Sequence, residues 1–444
     1  APDIAYQLFW QLGRINKAQG DVEKAIAHYS QATKILSSLR SDLVTINPDV
    51  QFSFRESVEP VYRELVSLLL QPNASQENIK QARQTIESLQ LAELDNFFQD
   101  ACAQAKPKQI DQIDPTAAVF YPIILSDRLE VIVSLPNQPL RHYSTIKSQT
   151  ELEQTFIDTR TSLRRTAFEQ ERLPLAQKLY DWLIRPAESD LIQNNIKTLV
   201  FVLDGTLRNL PMAALYDGQQ YVIQKYNIAL TPGLQLLEPR RLTTEQLRAL
   251  TAALSESRQG FPPLPGAATE VQQISTEVPA RVLLNQQFTL PNLQQLIRAA
   301  PYPVLHLATH GQFSSNAEDT FILSWDNRIN VKQLDGLLRD RELGQRPIEL
   351  FVLSACETAA GDNRAALGLA GIAIRSGARS TLATLWQVND ESTAIFMVEF
   401  YKELAKKGVT KAQALRNAQL ALLSQSQYQN PYFWAPFVLV GNWQ

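Results

Sequence analysis

From Gly266 onward, short fully apolar runs alternate with amphipathic stretches, and this alternation narrows the choice of fold more than any other feature of the chain. Val304–Ala308, Ile348–Ser354 and Ser380–Trp386 read as buried strands, and Phe437–Val440 as a closing one. Gly368–Ser376, Asp390–Leu404 and Thr410–Leu423 read as helices. Gly408 suits the end of one helix, and Thr410 with Gln413 fits a capping box for the next. Strands alternating with helices make a largely parallel sheet covered on both faces. In such sheets chemistry gathers outside the carboxyl ends of the strands.

Two of the strands end on reactive side chains. Val304–Thr309 runs into His310-Gly311, and Leu350–Ala355 runs into Cys356-Glu357. If the strands are parallel neighbours, imidazole and thiol share one edge, where His310 can take the proton of Cys356 and make it a nucleophile. Gly311 has no Cβ, so its N–H can approach a reacting carbonyl as an oxyanion-hole donor, and the Cys356 N–H can add a second. The plainer interpretation is a cysteine packed inertly after a strand. Against it, both residues stand where the chain leaves the core, and the 46-residue separation is close to the roughly fifty residues of caspases.

Upstream the texture differs. Residues 1–105 read as helical, with Phe9, Leu12, Gly13, Gly20, Ala25, Tyr29 and Ala32 spaced like one tetratricopeptide repeat. The stretches Glu59–Leu70 and Glu77–Phe98 are helices that can complete the stack. After a linker at Lys106-Pro107-Lys108, residues 106–257 read as an α/β unit. It holds a hairpin of Ala117–Leu125 with Leu129–Leu135, a helical region Gln149–Ile184, and a buried strand Thr198–Leu203 turning at Asp204-Gly205. Arg258–Pro265, with three prolines, reads as a second linker or surface loop. Residues 258–444 read as the catalytic unit.

The segments Ala308-Thr309-His310-Gly311, Leu353–Thr358, Gly368-Leu369-Ala370-Gly371 and Ser380–Trp386 with Asp390 resemble the CHAT domain, a family related to caspases and separase and linked to tetratricopeptide repeats. The resemblance covers about Leu173 to Trp443. It implies a caspase-like fold, a catalytic His at His310 and a nucleophile at Cys356, with residues 117–237 as a degenerate caspase-like unit. The caspase consensus Gln-Ala-Cys-Arg-Gly is absent, so aspartate specificity is not implied. Trp386 and Asp390 are expected to wall the substrate pocket, with Asp390 pairing a basic side chain or else capping its helix. His306 reads as a core or supporting residue and Cys102 as structural. His28 reads as a surface residue of the repeat, Asp319 and Glu357 as solvated, and His142 as lacking a nameable partner.

The expected function is a cysteine endopeptidase acting on a protein or peptide substrate, with a protein partner held by the helical region. The alternative is a catalytically silent scaffold that binds protein partners. A phosphate-binding module at Leu264–Glu270 is disfavoured by the lack of any Gly-rich phosphate motif. The chain also lacks G-x-S-x-G and H-E-x-x-H, which argues against serine and zinc hydrolases. A balance of 42 basic and 45 acidic residues argues against nucleic acid as a partner. No apolar run is long enough for a membrane span. With two cysteines and four histidines, neither a disulfide framework nor a metal site is expected, and no cofactor is. Few cysteines and no visible signal peptide suggest the cytoplasm. Ala1 is not an initiating Met, which suggests a processed chain or a fragment.

Overall fold

The computed structural model describes residues 2–39, 54–98, 113–233, 241–300, 302–313, 319–339, 348–354, 357–358 and 378–444. At the N-terminus, α1 (Pro2–Ala18) and α2 (Val22–Ser38) form a helical hairpin. Its turn uses Gly20 at φ +80°, and Asp21 caps α2 by accepting from the Lys24 N–H. Gly13 lets the helices close up: a Cβ there would meet the Tyr29 ring at 2.7 Å. Ala25, Tyr29 and Ala32 are fully buried on the facing helix. Two further helices, α3 (Glu59–Leu69) and α4 (Gln76–Phe98), match the stretches read from sequence to within a residue. The linker at 106–108 and Cys102 lie outside the described residues.

Eleven strands form one sheet. They are β1 (Ala117–Ile124), β2 (Arg128–Ser134), β3 (Arg141–Ile146), β4 (Thr198–Phe201), β5 (Asn227–Leu230), β6 (Ala249–Ala253), β7 (Ala280–Leu284), β8 (Val304–Ala308), β12 (Leu350–Ser354), β14 (Ser380–Thr384) and β15 (Phe437–Gly441). Their order is β3-β2-β1-β4-β5-β15-β14-β12-β8-β6-β7. A second, four-stranded sheet holds β9 (Gly311–Phe313), β10 (Phe321–Leu323), β11 (Arg328–Asn330) and β13 (Glu357–Thr358). The predicted hairpin is β1–β2. The predicted helical region is two helices, α5 (Gln149–Ser162) and α6 (Glu169–Leu183). Helices α7 (Pro265–Glu277), α8 (Asp390–Leu404) and α9 (Lys411–Leu423) complete the elements used below.

The sheet is the largely parallel, helix-flanked one that the alternation demands, with one reversal in the middle. β6, β7, β8, β12 and β14 run together, while β15 is antiparallel to β14 and parallel to β5. β4 and β1 follow β5. The two halves therefore present their carboxyl ends on opposite sides.

The helical layer is pinned to the first half by buried charge. Arg63 makes a two-pronged contact with Asp204 at 2.7 and 2.9 Å and also donates to the Ile124 carbonyl. Asp204 stands in the turn after β4, where Gly205 takes φ +51°. Burial alone would raise the Asp204 carboxyl; the Arg63 guanidinium, helped by Arg208 and the Ile124 N–H, instead holds it below its ordinary value. A second buried pair joins Glu93 of α4 to Arg208.

A different charge has no such match. Lys411, the first residue of α9, is fully buried, and among the described residues its Nζ has no hydrogen-bond partner. Burial pushes its amine down to about 7, with Glu349 opposing and Arg379 assisting. Unfolded, it titrates near 10.4. Between those values the unfolded chain holds a proton that the folded chain lacks, so stability rises with pH by about 1.4 kcal/mol per unit from this residue. Below the folded value both states are charged and the penalty is constant. Lys411→Met is expected to be more stable than the native chain near neutral pH and to lose this slope, as read by urea unfolding at about pH 7.5 and 9.5.

Candidate active site

The strands that carry the two reactive residues are neighbours. β8 and β12 pair in parallel from Leu350↔Val304 through Ser354↔Ala308. The condition that the sequence reading left open, adjacency with a common direction, is met. The Thr309 N–H donates to the Ser354 carbonyl at 3.2 Å, continuing the ladder one residue past the strand. Beyond it β9 pairs with β13, with Glu357 opposite Gln312. Cys356 itself lies outside the described residues, as does the helix read at Gly368–Ser376.

His310 is nearly buried, with its ring 5.0 Å from that of Phe261. Its Nε2 is 2.8 Å from the Pro262 carbonyl oxygen. A carbonyl can only accept, so Nε2 carries the hydrogen, and the neutral ring keeps a bare lone pair on Nδ1. That fixes which nitrogen is free to take a proton. The stretch Arg258–Pro265, read from sequence as a linker or surface loop, thus orients the imidazole. Sequence offered no signal for this, because the acceptor is a backbone atom.

Gly311 opens β9 opposite Ile322 of β10, and the flanking bond runs from the Leu323 N–H to the His310 carbonyl. In an antiparallel pair the N–H groups alternate sides. The Gly311 N–H therefore points away from β10, toward β13.

A small cavity, open to solvent, lies against His310 and Gly311. Ser354 forms part of it, as do Thr384, Gln387, Val388, Asp390 and Thr393 around the end of β14. Leu264, Ala267 and Glu270 of α7 and its approach close the other side. Asp390 does not cap α8; Asn389 does, accepting from the Ser392 N–H. Asp390 instead accepts from the Gly266 N–H at 2.5 Å, so its carboxylate sits at the starts of two helices, where negative charge is favoured. The anion at the start of α7 is thus a side chain of the chain itself. Gly266 is needed there, since a Cβ would lie 2.6 Å from the Asp390 Cγ. Gly266→Ala is expected to displace Asp390 and to cost about 1–3 kcal/mol, measurable as a lowered thermal midpoint.

Trp386 is beside the cavity rather than in its lining. Its indole N–H donates to the Tyr432 carbonyl, and the Arg160 guanidinium lies 4.0 Å over its ring. His306 is fully buried beneath the site. Burial, and then the Glu270 carboxylate, hold the Tyr401 hydroxyl far above its ordinary titration range, so it stays protonated, and its oxygen shares a hydrogen bond of 3.1 Å with His306 Nδ1. His306 Nε2 is 2.8 Å from Glu270, at a poor angle for a hydrogen bond, and Glu270 accepts from the Ser354 hydroxyl at 2.9 Å. Sequence reading missed Glu270.

The remaining residues lie elsewhere. His142 has a partner after all, buried Glu130 at 3.3 Å. His28 is half-buried and contacts Asn16, and Asp319 is exposed. Among the described residues no cluster of three or more His, Cys, Asp or Glu could hold a metal, and no helix is long and apolar enough to cross a membrane.

Comparison with known proteins agrees with this architecture. A chain of the Saccharomyces cerevisiae separase–securin complex superposes with a TM-score of 0.51 at 10% identity, over 95% of this chain and 38% of that one. This chain thus spans little more than a third of that relative. The Arg-specific cysteine proteinase gingipain R matches with a TM-score of 0.41 at 10% identity, over 66% of this chain and 74% of its own. No curated protein matches the sequence. The CHAT domain family model matches residues 173–442, well over half of the sequence, and the chain belongs to the CHAT domain family.

Proposed function

We propose that the chain is a cysteine endopeptidase in which Cys356 attacks a peptide carbonyl and His310 handles the proton. The observation that carries this reading is the parallel β8–β12 pair, because the segments bearing His310 and Cys356 leave from paired ends of adjacent strands. Covalent connection then keeps Cys356 next to Glu357, whose partner Gln312 is two residues from His310.

In this reading His310 Nδ1 takes the thiol proton, and the Cys356 sulfur bonds to the carbonyl carbon. The oxyanion so formed is met by the Gly311 N–H. The imidazolium gives its proton to the departing amine, leaving an acyl-enzyme that water hydrolyses with His310 again as base. Asp390 lines the cavity, and an acid there suits a basic side chain before the scissile bond. The helices α1–α4 are the candidate seat for a protein partner, in the manner of repeat stacks.

A peptidyl acyloxymethyl ketone with a basic residue at its reactive end tests the reading. Mass spectrometry should find the adduct on Cys356 of the native chain, and no adduct on Cys356 of His310→Ala. A native chain that stays unlabelled, yet keeps a protein partner through α1–α4, would be the silent scaffold instead.

A further inference from the structure

His310 takes its orientation from a segment whose own backbone is poorly anchored. At Arg258 the chain reverses, with Gln259 and Gly260 at φ +50° and +86° and the Phe261 N–H donating to the Arg258 carbonyl at 2.8 Å. Two successive left-handed residues are the mark of a tight hairpin turn. The next two residues, Pro262 and Pro263, have no N–H to tie to a neighbour. Backbone bonding resumes at Leu264, whose N–H donates to the Ser255 carbonyl at 3.0 Å. The carbonyl that holds His310 Nε2 therefore sits in a strap between these two bonds, and side chains must fix its height over the ring.

Those side chains come from the β10–β11 hairpin. The Arg258 guanidinium lies 3.3 Å from the centre of the Trp325 ring, with its Nε buried. A stacked guanidinium that is also desolvated is at the strong end of such contacts. Phe261 stands between His310 and the edge of Phe321, 6.2 Å away, and Arg328 lies 4.4 Å over Phe321. Trp325 is itself held, its backbone N–H donating to the Phe288 carbonyl at 2.8 Å, and the turn beside it is closed by the Ser324 N–H on the Asn327 carbonyl. The same hairpin pairs through β10 with β9, which Gly311 opens. One element thus carries the strap over the imidazole on one side and the strand of the oxyanion donor on the other.

We propose that Trp325 and Arg258 are positioning residues for His310: their stack pins the strap to the hairpin, keeps the Pro262 carbonyl on Nε2 and so leaves Nδ1 bare. The catalytic consequence rests on the peptidase reading argued above, whereas the placing of the ring can be measured apart from it. Base and oxyanion donor then share one support, and disturbing the hairpin disturbs the chemistry without touching the cavity lining.

Magnetic resonance of the chain labelled with isotope at histidine, joined to labelling kinetics with the acyloxymethyl ketone, provides the test. A ring N–H bonded to a carbonyl exchanges slowly with water and gives its own signal; with four histidines in the chain, the one lost in His310→Ala is assigned directly. Trp325→Ala and Arg258→Gln should each weaken that signal and lower the maximal labelling rate of Cys356 by about tenfold. The half-saturating ketone concentration should stay within about twofold, since the cavity is untouched. The double substitution should be no worse than either single one, because both break one contact. Trp325→Phe, which keeps a ring face, should restore most of the rate and the signal. An unchanged signal or an unchanged rate in Trp325→Ala would overturn the proposal, as would a full loss in Trp325→Phe, the mark of a packing defect alone. If the ketone never labels the native chain while the signal is still lost in both variants, the ring contact stands and the peptidase reading falls.

Discussion

Replacing His310 by alanine is expected to lower kcat/KM toward a basic peptide substrate by about 10²–10⁴-fold, the span of a general base. The argument is geometric. The Pro262 carbonyl occupies Nε2, so the imidazole keeps one nitrogen, Nδ1, for the thiol proton in the proposed mechanism. Without it the proposed mechanism has no base to take the thiol proton. Alkylation of Cys356 by iodoacetamide separates this from a folding defect. In the native chain the rate should already be high at neutral pH, whereas in His310→Ala it should rise only toward the ordinary thiol range near about 8.5. Identical profiles would mean that the two groups do not communicate. A circular-dichroism melt should be little changed by the substitution.

The second large effect concerns stability. Arg63→Ala is expected to destabilise the chain by about 3–5 kcal/mol, the usual cost of removing one member of a buried ion pair. Asp204 has 3% side-chain exposure, and without Arg63 its charge would stay buried with only the Ile124 N–H and distant Arg208. The effect should depend on pH. With Arg63 present, the lowered Asp204 carboxyl gives stability that is complete above its unfolded value near 3.9 and lost as pH falls through the folded one. In Arg63→Ala that acid-side loss should shrink. Arg63→Met with Asp204→Leu should recover much of the stability, because it removes both charges together. Guanidinium unfolding of the native chain and the two variants, at neutral and acid pH, checks all of this.

Much of the fold was legible because its strands are short, apolar and bounded by turn residues. β8 was read to the residue and β12 to within two residues of its start. β6 went unread, since Ala249–Ala253 is mostly alanine and carries a single β-branched side chain, Thr251. It is recognisable only by its place between β8 and β7. The pocket was half legible. Asp390 was singled out, but its contact with Gly266 spans 124 residues, and no local pattern announces a bond of that range. The capping role fell to Asn389, one residue earlier, which is within the usual uncertainty of helix ends. His142 was left without a partner because cross-strand neighbours appear only once register is known; β2 and β3 bring it diagonally to Glu130.

The reversal at β15 has a mechanical consequence. Asp204 and the helices that grip it stand at the far rim from His310, a strand's length away through the sheet, or about 17 Å. A molecule docking on α3 or α4 beside that grip acts as a lever on the strands and not as a stopper in the cavity. Its influence would pass through β5 and β15 into β14, whose end carries the loop of Trp386 and Asp390.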